Sequence, residues 1–382
     1  MNSIFKIWLS AFLFCCLSGS TSYVEYEKGR SYFNDDFSPD QTDSIAKVRI
    51  KFNDTIPNDT LYICLSKSRP VAVYRDVLTD VCLDGQCRRI SLKLYWTITG
   101  RYLGYALEKN QELTKKEHTT FSAPDYVLLH NLLGDSLSVL AYFTAGEIQP
   151  KQTKNIKTDG ISGATPPDIS GYTVPEAAYT THTLWHLVYG ESRDSISYHI
   201  NNFINVALLD SLLKKSVPYD QQWALGKISA STIPVRLFFE AILELLSERD
   251  SKTIERALNL LNTHSFNDSI YQEKLFSLSQ SSDYQIKRIA MERLKNTQKL
   301  RAFVAKKMIK SIQSKKHPNE YAYFNILSRN YSPDADDLKA ISTLLDSNSE
   351  EMSLKAYEFL MNFSDKDIDL SKKIKKYERL HF

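Results

Sequence analysis

Ile90-Ser91-Leu92-Lys93-Leu94-Tyr95-Trp96-Thr97 alternates at the strand period, with Leu92, Leu94 and Trp96 on one side and Lys93, Tyr95 and Thr97 on the other. Gly100-Arg101 turns the chain into Tyr102-Leu103-Gly104-Tyr105-Ala106-Leu107, a second strand-like run. Upstream, Lys47 to Phe52 alternates in the same way. Leu61 to Leu65 reads as a strand, and Val71 to Asp76 begins another. Before these, residues 23–45 are rich in Ser, Asp, Asn and Tyr and read as a loosely held arm. Downstream, Ser122-Ala123-Pro124-Asp125 has a cap, a first-turn proline and a capping-box acid, so a helix is expected there. Its apolar stripe is expected at Leu128, Leu129, Leu132 and Leu133. Pro175 is expected to open a further helix running to Gly190. An antiparallel sheet with helices, an α+β domain over residues 23–190, follows from this half.

The pattern changes near Asp194. Strand alternation stops and helical stripes take over, as in Ala241-Ile242-Leu243-Glu244-Leu245-Leu246 and Ile286-Lys287-Arg288-Ile289-Ala290-Met291-Glu292-Arg293-Leu294. Helices are expected over Ser195–Lys215 and Ile233–Glu248. They lead into two-helix units at 236–262, 268–296, 299–330 and 334–363. That period and pairing resemble HEAT-like repeats, so residues 194–382 are expected to form an all-α solenoid.

Val81-Cys82-Leu83-Asp84-Gly85-Gln86-Cys87-Arg88 has Asp-Gly between two strand-like arms, a strong hairpin signal. A two-residue turn sets Cys82 opposite Cys87 at a non-hydrogen-bonded position, close enough for a disulfide. Cys64 is left over and reads as a small buried hydrophobe. Residues 1–22 read as a signal peptide: Lys6, an apolar core from Ile7 to Leu17, then Ser18, Gly19, Ser20 and Ser22. The expectation is export to the periplasm or cell envelope, where disulfides persist. Cys15 and Cys16 leave a lipid-anchored alternative open, although Phe12-Leu13-Phe14 supplies no small residue before them.

The net charge of +3 over 382 residues indicates no nucleic-acid binding by itself. Residues 287–316 nevertheless hold eleven Lys/Arg against one acid, Glu292. They read either as solvated helix faces or as a docking surface for a redox protein, an acidic partner or anionic lipid headgroups at the membrane periphery. Nucleic acid is not expected there, because Phe303 alone among the charges is aromatic and base stacking needs several such side chains interleaved. His182 and His186 share a helix face, but the segment between them lacks the glutamate of a metalloprotease motif. No metal site is expected. His118 and His130 receive no role.

Asp159-Gly160-Ile161-Ser162-Gly163-Ala164-Thr165 lies in a long polar loop, Gly146 to Gly171. Gly160 and Gly163 allow positive φ and close backbone approach. Ser162 can donate to a phosphate oxygen, Ala164 leaves room beside the chain, and consecutive N–H groups in such a turn can nest an anion. Asp159 can hold the loop shape through its own downstream N–H groups.

The run Asp159-x-x-Ser162-Gly163-Ala164-Thr165 resembles the flavinylation motif of bacterial FMN-binding domains, as in the C subunit of the sodium-pumping NADH:quinone reductase and the G subunit of the Rnf complex. The aromatic strand, Gly turn and Gly104-Tyr105 pair are similar to the β-hairpin of those domains. The resemblance implies covalent FMN, attached through a phosphodiester to the Thr165 hydroxyl by a flavin transferase, with Asp159, Ser162, Gly163 and Ala164 shaping the site. Where that family continues with a second hydroxyl residue, this chain has Pro166-Pro167, a rigid extended exit. The implied function is extracytoplasmic electron transfer, with the helical repeats docking a redox partner. The alternative is a non-enzymatic exported binding or scaffold protein whose FMN-type domain carries no cofactor.

Overall fold

The computed structural model describes residues 23–26, 29–34, 37–52, 54, 56–80, 89–115, 118–148, 169–261, 267–314, 320–366 and 368–382. The chain divides into two compact units, Met1–Ile204 and Asn205–Phe382.

The first unit is built on seven antiparallel strands: β1 (Tyr23–Tyr26), β2 (Gly29–Phe33), β3 (Ser44–Arg49), β4 (Thr60–Ser66), β5 (Arg69–Thr79), β6 (Ile90–Trp96) and β7 (Tyr102–Leu107). Their order across the sheet is β1-β2-β7-β6-β5-β4-β3. Strands β3 to β7 are therefore a simple meander. The segment expected to be a loose arm instead returns to the far edge, where β2 pairs with β7 through Tyr32↔Tyr105 and Phe33↔Gly104.

Two aromatic side chains explain that correction. Tyr32 is buried and stacks on Tyr105 with ring centroids 5.2 Å apart. On the opposite face Phe33 meets the edge of Tyr95 at 5.0 Å and joins a cluster with Phe37, Cys64, Ala72 and Leu103. Burying two such rings contributes on the order of 2–3 kcal/mol each, enough to hold a short strand of polar composition. Gly104 makes the approach possible, because a Cβ there would collide with the Tyr32 carbonyl and the Phe33 ring. A Gly104→Ala variant is expected to lose about 1–3 kcal/mol. Faster amide exchange along β2, with β4 and β5 unchanged, is the signature to look for.

The main core lies on the other face. Leu92, Leu94 and Trp96 point into it from β6, as their alternation requires, and all are at most 1% exposed. Helices α1 (Ala123–Gly134) and α2 (Ala178–Val188) cover this face. The α1 start is as expected: the Ser122 N–H and hydroxyl both donate to Asp125, at 2.7 and 2.6 Å. Its buried stripe is Tyr126, Leu129, His130 and Leu133: Leu129 and Leu133 are as expected, whereas Leu132 is half-buried and Leu128 is exposed. Tyr126 carries more apolar area than a leucine, and its hydroxyl also accepts from the Leu113 N–H at 3.0 Å, which turns the helix toward it. Pro175 precedes α2 rather than opening it.

At the centre of β5 sits a fully buried arginine. Arg75 makes a bidentate pair with Asp54 (2.5 and 3.0 Å) and donates to the Asn58 carbonyl (3.0 Å) and the Ser192 hydroxyl (2.9 Å). Its guanidinium lies 3.7 Å from the centroid of the Phe52 ring. Ser192 belongs to α3 (Glu191–His199), which follows α2 within this unit.

The second unit is helical: α4 (Val206–Leu213), α5 (Pro218–Ala230), α6 (Phe239–Leu245), α7 (Ser251–Leu260), α8 (Ser269–Leu278), α9 (Tyr284–Lys295), α10 (Ala302–Ser314), α11 (Glu320–Asn330), α12 (Ala335–Ser342), α13 (Glu350–Met361) and α14 (Ile368–His381). The expected single helix over Ser195–Lys215 is instead α3 and α4. A 3-10 turn at Ile200–Phe203 separates them, and the Asn205 side chain caps α4 by accepting from the Leu208 N–H. Helix α5, started by Pro218, was not expected. From α6 onward each expected two-helix unit is found: α6/α7, α8/α9, α10/α11 and α12/α13. Aspartates cap many of the starts: Asp250, Asp268, Asp283 and Asp334 each accept a backbone N–H from the first turn, contributing about 1 kcal/mol apiece.

Packing in this unit runs between alternate helices as well as neighbours. Helices α6, α8, α10, α12 and α14 each touch the next of that set, and α5, α7, α9, α11 and α13 do the same. Polar bonds fix the spacing. Buried Gln272 of α8 donates to the Lys299 carbonyl (2.9 Å) and accepts from the Arg301 N–H (2.7 Å) at the start of α10. Asn330, ending α11, donates to the Leu294 and Lys295 carbonyls at the end of α9.

Candidate functional site

Ile148 and Ile169 are the described residues on either side of the segment that carries the flavin-type motif. Asp159, Ser162, Gly163, Ala164 and Thr165 lie outside the described residues, as do Cys82, Cys87 and the signal segment. What the fold does define is the two segments that flank these residues in sequence.

On the outgoing side a 3-10 turn, Val139–Tyr142, follows α1. Helix α2 grips it from the return side. The Trp185 indole N–H donates to the Asp135 carbonyl at 2.9 Å, and the Tyr189 hydroxyl donates to the Leu133 carbonyl at 2.8 Å. One turn earlier, His182 Nε2 meets the Phe143 carbonyl at 2.7 Å and His186 Nε2 meets the Leu140 carbonyl at 3.1 Å. A carbonyl only accepts, so both imidazoles carry a proton on Nε2. The two rings pack with centroids 4.1 Å apart. Burial pulls the His182 imidazole below its ordinary range, with its bond to Phe143 opposing part of the effect. At the return end the Val174 N–H donates to the Thr181 hydroxyl at 3.1 Å, and the Thr181 hydroxyl donates to the Ala177 carbonyl at 3.0 Å. The i, i+4 histidines are thus a clasp between backbone segments. Among the described residues no cluster of three or more His, Cys, Asp or Glu is arranged to hold a metal ion.

The aromatic residues of α2 are committed in the same way, Trp185 and Tyr189 to carbonyls of the preceding segment. Trp96 of β6 reaches α2 as well, donating to the Val188 carbonyl at 2.8 Å. Of the two other histidines, His118 is exposed at positive φ. His130 is buried, with Nδ1 3.1 Å from the Tyr102 hydroxyl and Nε2 3.1 Å from Asn34 Oδ1. Since that amide oxygen accepts, Nε2 carries the proton and Nδ1 takes the tyrosine's. Burial lowers the His130 pKa to about 4.

Cys64 is buried in the Phe33 cluster, and burial raises its thiol pKa. Strands β5 and β6 pair without a shift from Val73↔Trp96 to Thr79↔Ile90, the register that a two-residue turn at Asp84-Gly85 requires.

The basic stretch 287–316 spans α9 and α10. Several of its cations are matched by acids of their own or neighbouring helices: Arg288 with Glu292 (3.7 Å), Lys306 with Asp334 (3.0 Å) and Lys307 with Glu273. Arg301 donates to the Asn267 carbonyl, and Arg293 is buried. Position in sequence could not reveal the last two pairings, because Glu273 belongs to α8 and Asp334 caps α12.

No family profile and no curated protein matches this chain. Among solved structures it is similar to an engineered protein at 20% identity, covering 46% of this chain and 86% of that one with a TM-score of 0.31. A designed armadillo repeat protein shows 14% identity over 45% of this chain and 88% of its own, also at 0.31. A second engineered protein shows 20% identity over 48% and 53%, at 0.30.

Proposed function

We propose that this chain is an exported binding protein whose C-terminal unit is a HEAT-like scaffold for docking partners. The observation that carries the reading is the alternate-helix packing of α5 to α14. Helix pairs stacked in this way bury one stripe on their neighbours and leave long outer faces free for recognition. In the first unit, the buried polar groups Arg75, His130, His182 and Thr181 bond to backbone and side chains of neighbouring segments. Site-specific photo-crosslinkers introduced along α10 and α14 in the producing cell test this reading. A defined partner cross-linked from the helical faces, and not from exposed positions on β3, is the expected result. Cross-links from β3 alone would overturn it.

A second reading, in which the first unit carries covalent FMN on Thr165 for electron transfer, is favoured by the motif and by the clasped base of its loop. A hydroxyl that must enter a transferase active site needs a free loop on a rigid foundation, and α2 supplies that foundation on both sides. Intact-mass measurement after co-production with a flavin transferase decides it. The flavin reading predicts a gain of one FMN less water, abolished in Thr165→Val, and a yellow protein. An unmodified, colourless protein leaves the scaffold reading alone.

A further inference from the structure

A second cationic surface of the helical unit lies on α14, outside residues 287–316. Leu370, Ile374 and Tyr377 pack α14 inward, while Lys375, Lys376 and Arg379 are exposed and make no ion pair among the described residues. Beside them, the turn following α12 and the last two turns of α14 enclose a groove of about 330 Å³. Lys373 and Lys376 line it from α14, with Ser347 and a single carboxylate, Asp346, on the opposite wall. Lys373 is oriented by the Ser342 hydroxyl at 3.0 Å. The floor is aromatic: the His381 ring stacks on Tyr377 at 4.2 Å. Leu380 borders the groove and is 68% exposed.

We propose that this groove docks an acidic peptide segment of a partner protein, with a carboxylate held between Lys373 and Lys376 and an adjoining apolar side chain resting on Leu380. The charge complementarity is local and directional. Two ammonium groups and a hydroxyl face one concavity, which suits a single oriented carboxylate flanked by chain. A bilayer instead responds to the summed charge of a flat face, and here Asp346 and the Asp369 carboxylate paired with Lys372 interrupt such a face. The proposal rests on the docking-scaffold reading and is independent of any flavin at Thr165.

Fluorescence anisotropy of the intact protein with a fluorescein-labelled peptide of alternating glutamate and leucine tests it. Saturable binding that weakens with added salt is expected. A Lys373→Glu/Lys376→Glu variant should weaken it at least tenfold and Leu380→Ser several-fold. Lys306→Glu/Lys307→Glu makes the same change in net charge on α10 and should leave binding within twofold. If the double glutamate variant loses helicity by circular dichroism, Lys373→Gln/Lys376→Gln takes its place. Equal losses from the α10 and α14 variants would mean general charge attraction and overturn the site. So would absence of peptide binding, or sedimentation with phosphatidylserine vesicles in preference to the peptide. Cross-links from α10 alongside peptide binding that ignores the α14 variants would overturn this groove and leave the scaffold reading standing.

Discussion

An Asp54→Ala variant is expected to destabilise the N-terminal unit by about 3–5 kcal/mol, the range for removing one partner of a buried ion pair. The loss falls on Arg75, which has no solvent exposure in the fold. Without the carboxylate, its cation keeps only neutral acceptors, the Asn58 and Ile56 carbonyls and the Ser192 hydroxyl, together with the face of Phe52. Removing the cation instead strands a carboxylate whose side chain is 23% exposed and so can be hydrated. Arg75→Met should therefore cost less than Asp54→Ala, and the double variant less than the sum of the two. Urea unfolding followed by tryptophan fluorescence in a Trp223→Phe background, where Trp96 and Trp185 report on this unit, separates its transition from that of the helical unit. If Arg75→Met proved the more damaging single change, the stranded-charge account would be wrong. The main role of Arg75 would then be to pack its long stem.

That arginine shows where sequence reading stops. The meander β3–β7, the capped start of α1 and the two-helix units from α6 to α13 are written in periodicities and caps, which are local signals. Each is set by residues within a few positions of one another, so a single chain segment reveals it. Arg75 sits at an inward position of a strand, and its polar character argues against burial until Asp54, 21 residues earlier, and Ser192, 117 residues later, are brought to it. The same limit explains β2. Its pairing depends on an absent side chain at Gly104 and on rings from β6, β7 and α1 that meet Tyr32 and Phe33 only in the folded sheet. It also explains the basic stretch, where eleven cations in sequence become a partly neutralised surface once Glu273 and Asp334 are placed beside it. The histidine clasp was half legible: the four-residue spacing of His182 and His186 put both rings on one face. Their partners are backbone carbonyls, which leave no mark in the sequence.

Acidification should weaken the first unit in a window set by His130. Its folded pKa lies near 4, against 6.5 in the unfolded chain, because burial beside Tyr102 and Asn34 disfavours the imidazolium. A depressed histidine pKa means that the unfolded state binds the additional proton between these values. The contribution is therefore fully present above about pH 6.5 and is lost progressively as pH falls toward 4. At about 1.4 kcal/mol per pKa unit, the loss is on the order of 3 kcal/mol. His182, also lowered by burial, acts in the same direction. Asp125 titrates elsewhere. Burial alone would raise its pKa, yet the Lys115 ammonium and the Ser122 donors hold it below the ordinary carboxylate value, so its contribution disappears only at lower pH. A His130→Asn variant, which keeps a polar group but cannot titrate, should be less stable than the parent at pH 7. It should lose clearly less between pH 6.5 and 4, with His182 contributing to the loss that remains. Carbon-13 shifts of the His130 ring supply the direct check. A ring that stays neutral down to about pH 4 supports the buried network with Tyr102, whereas one that titrates near 6.5 would mean that water reaches His130 in the folded state.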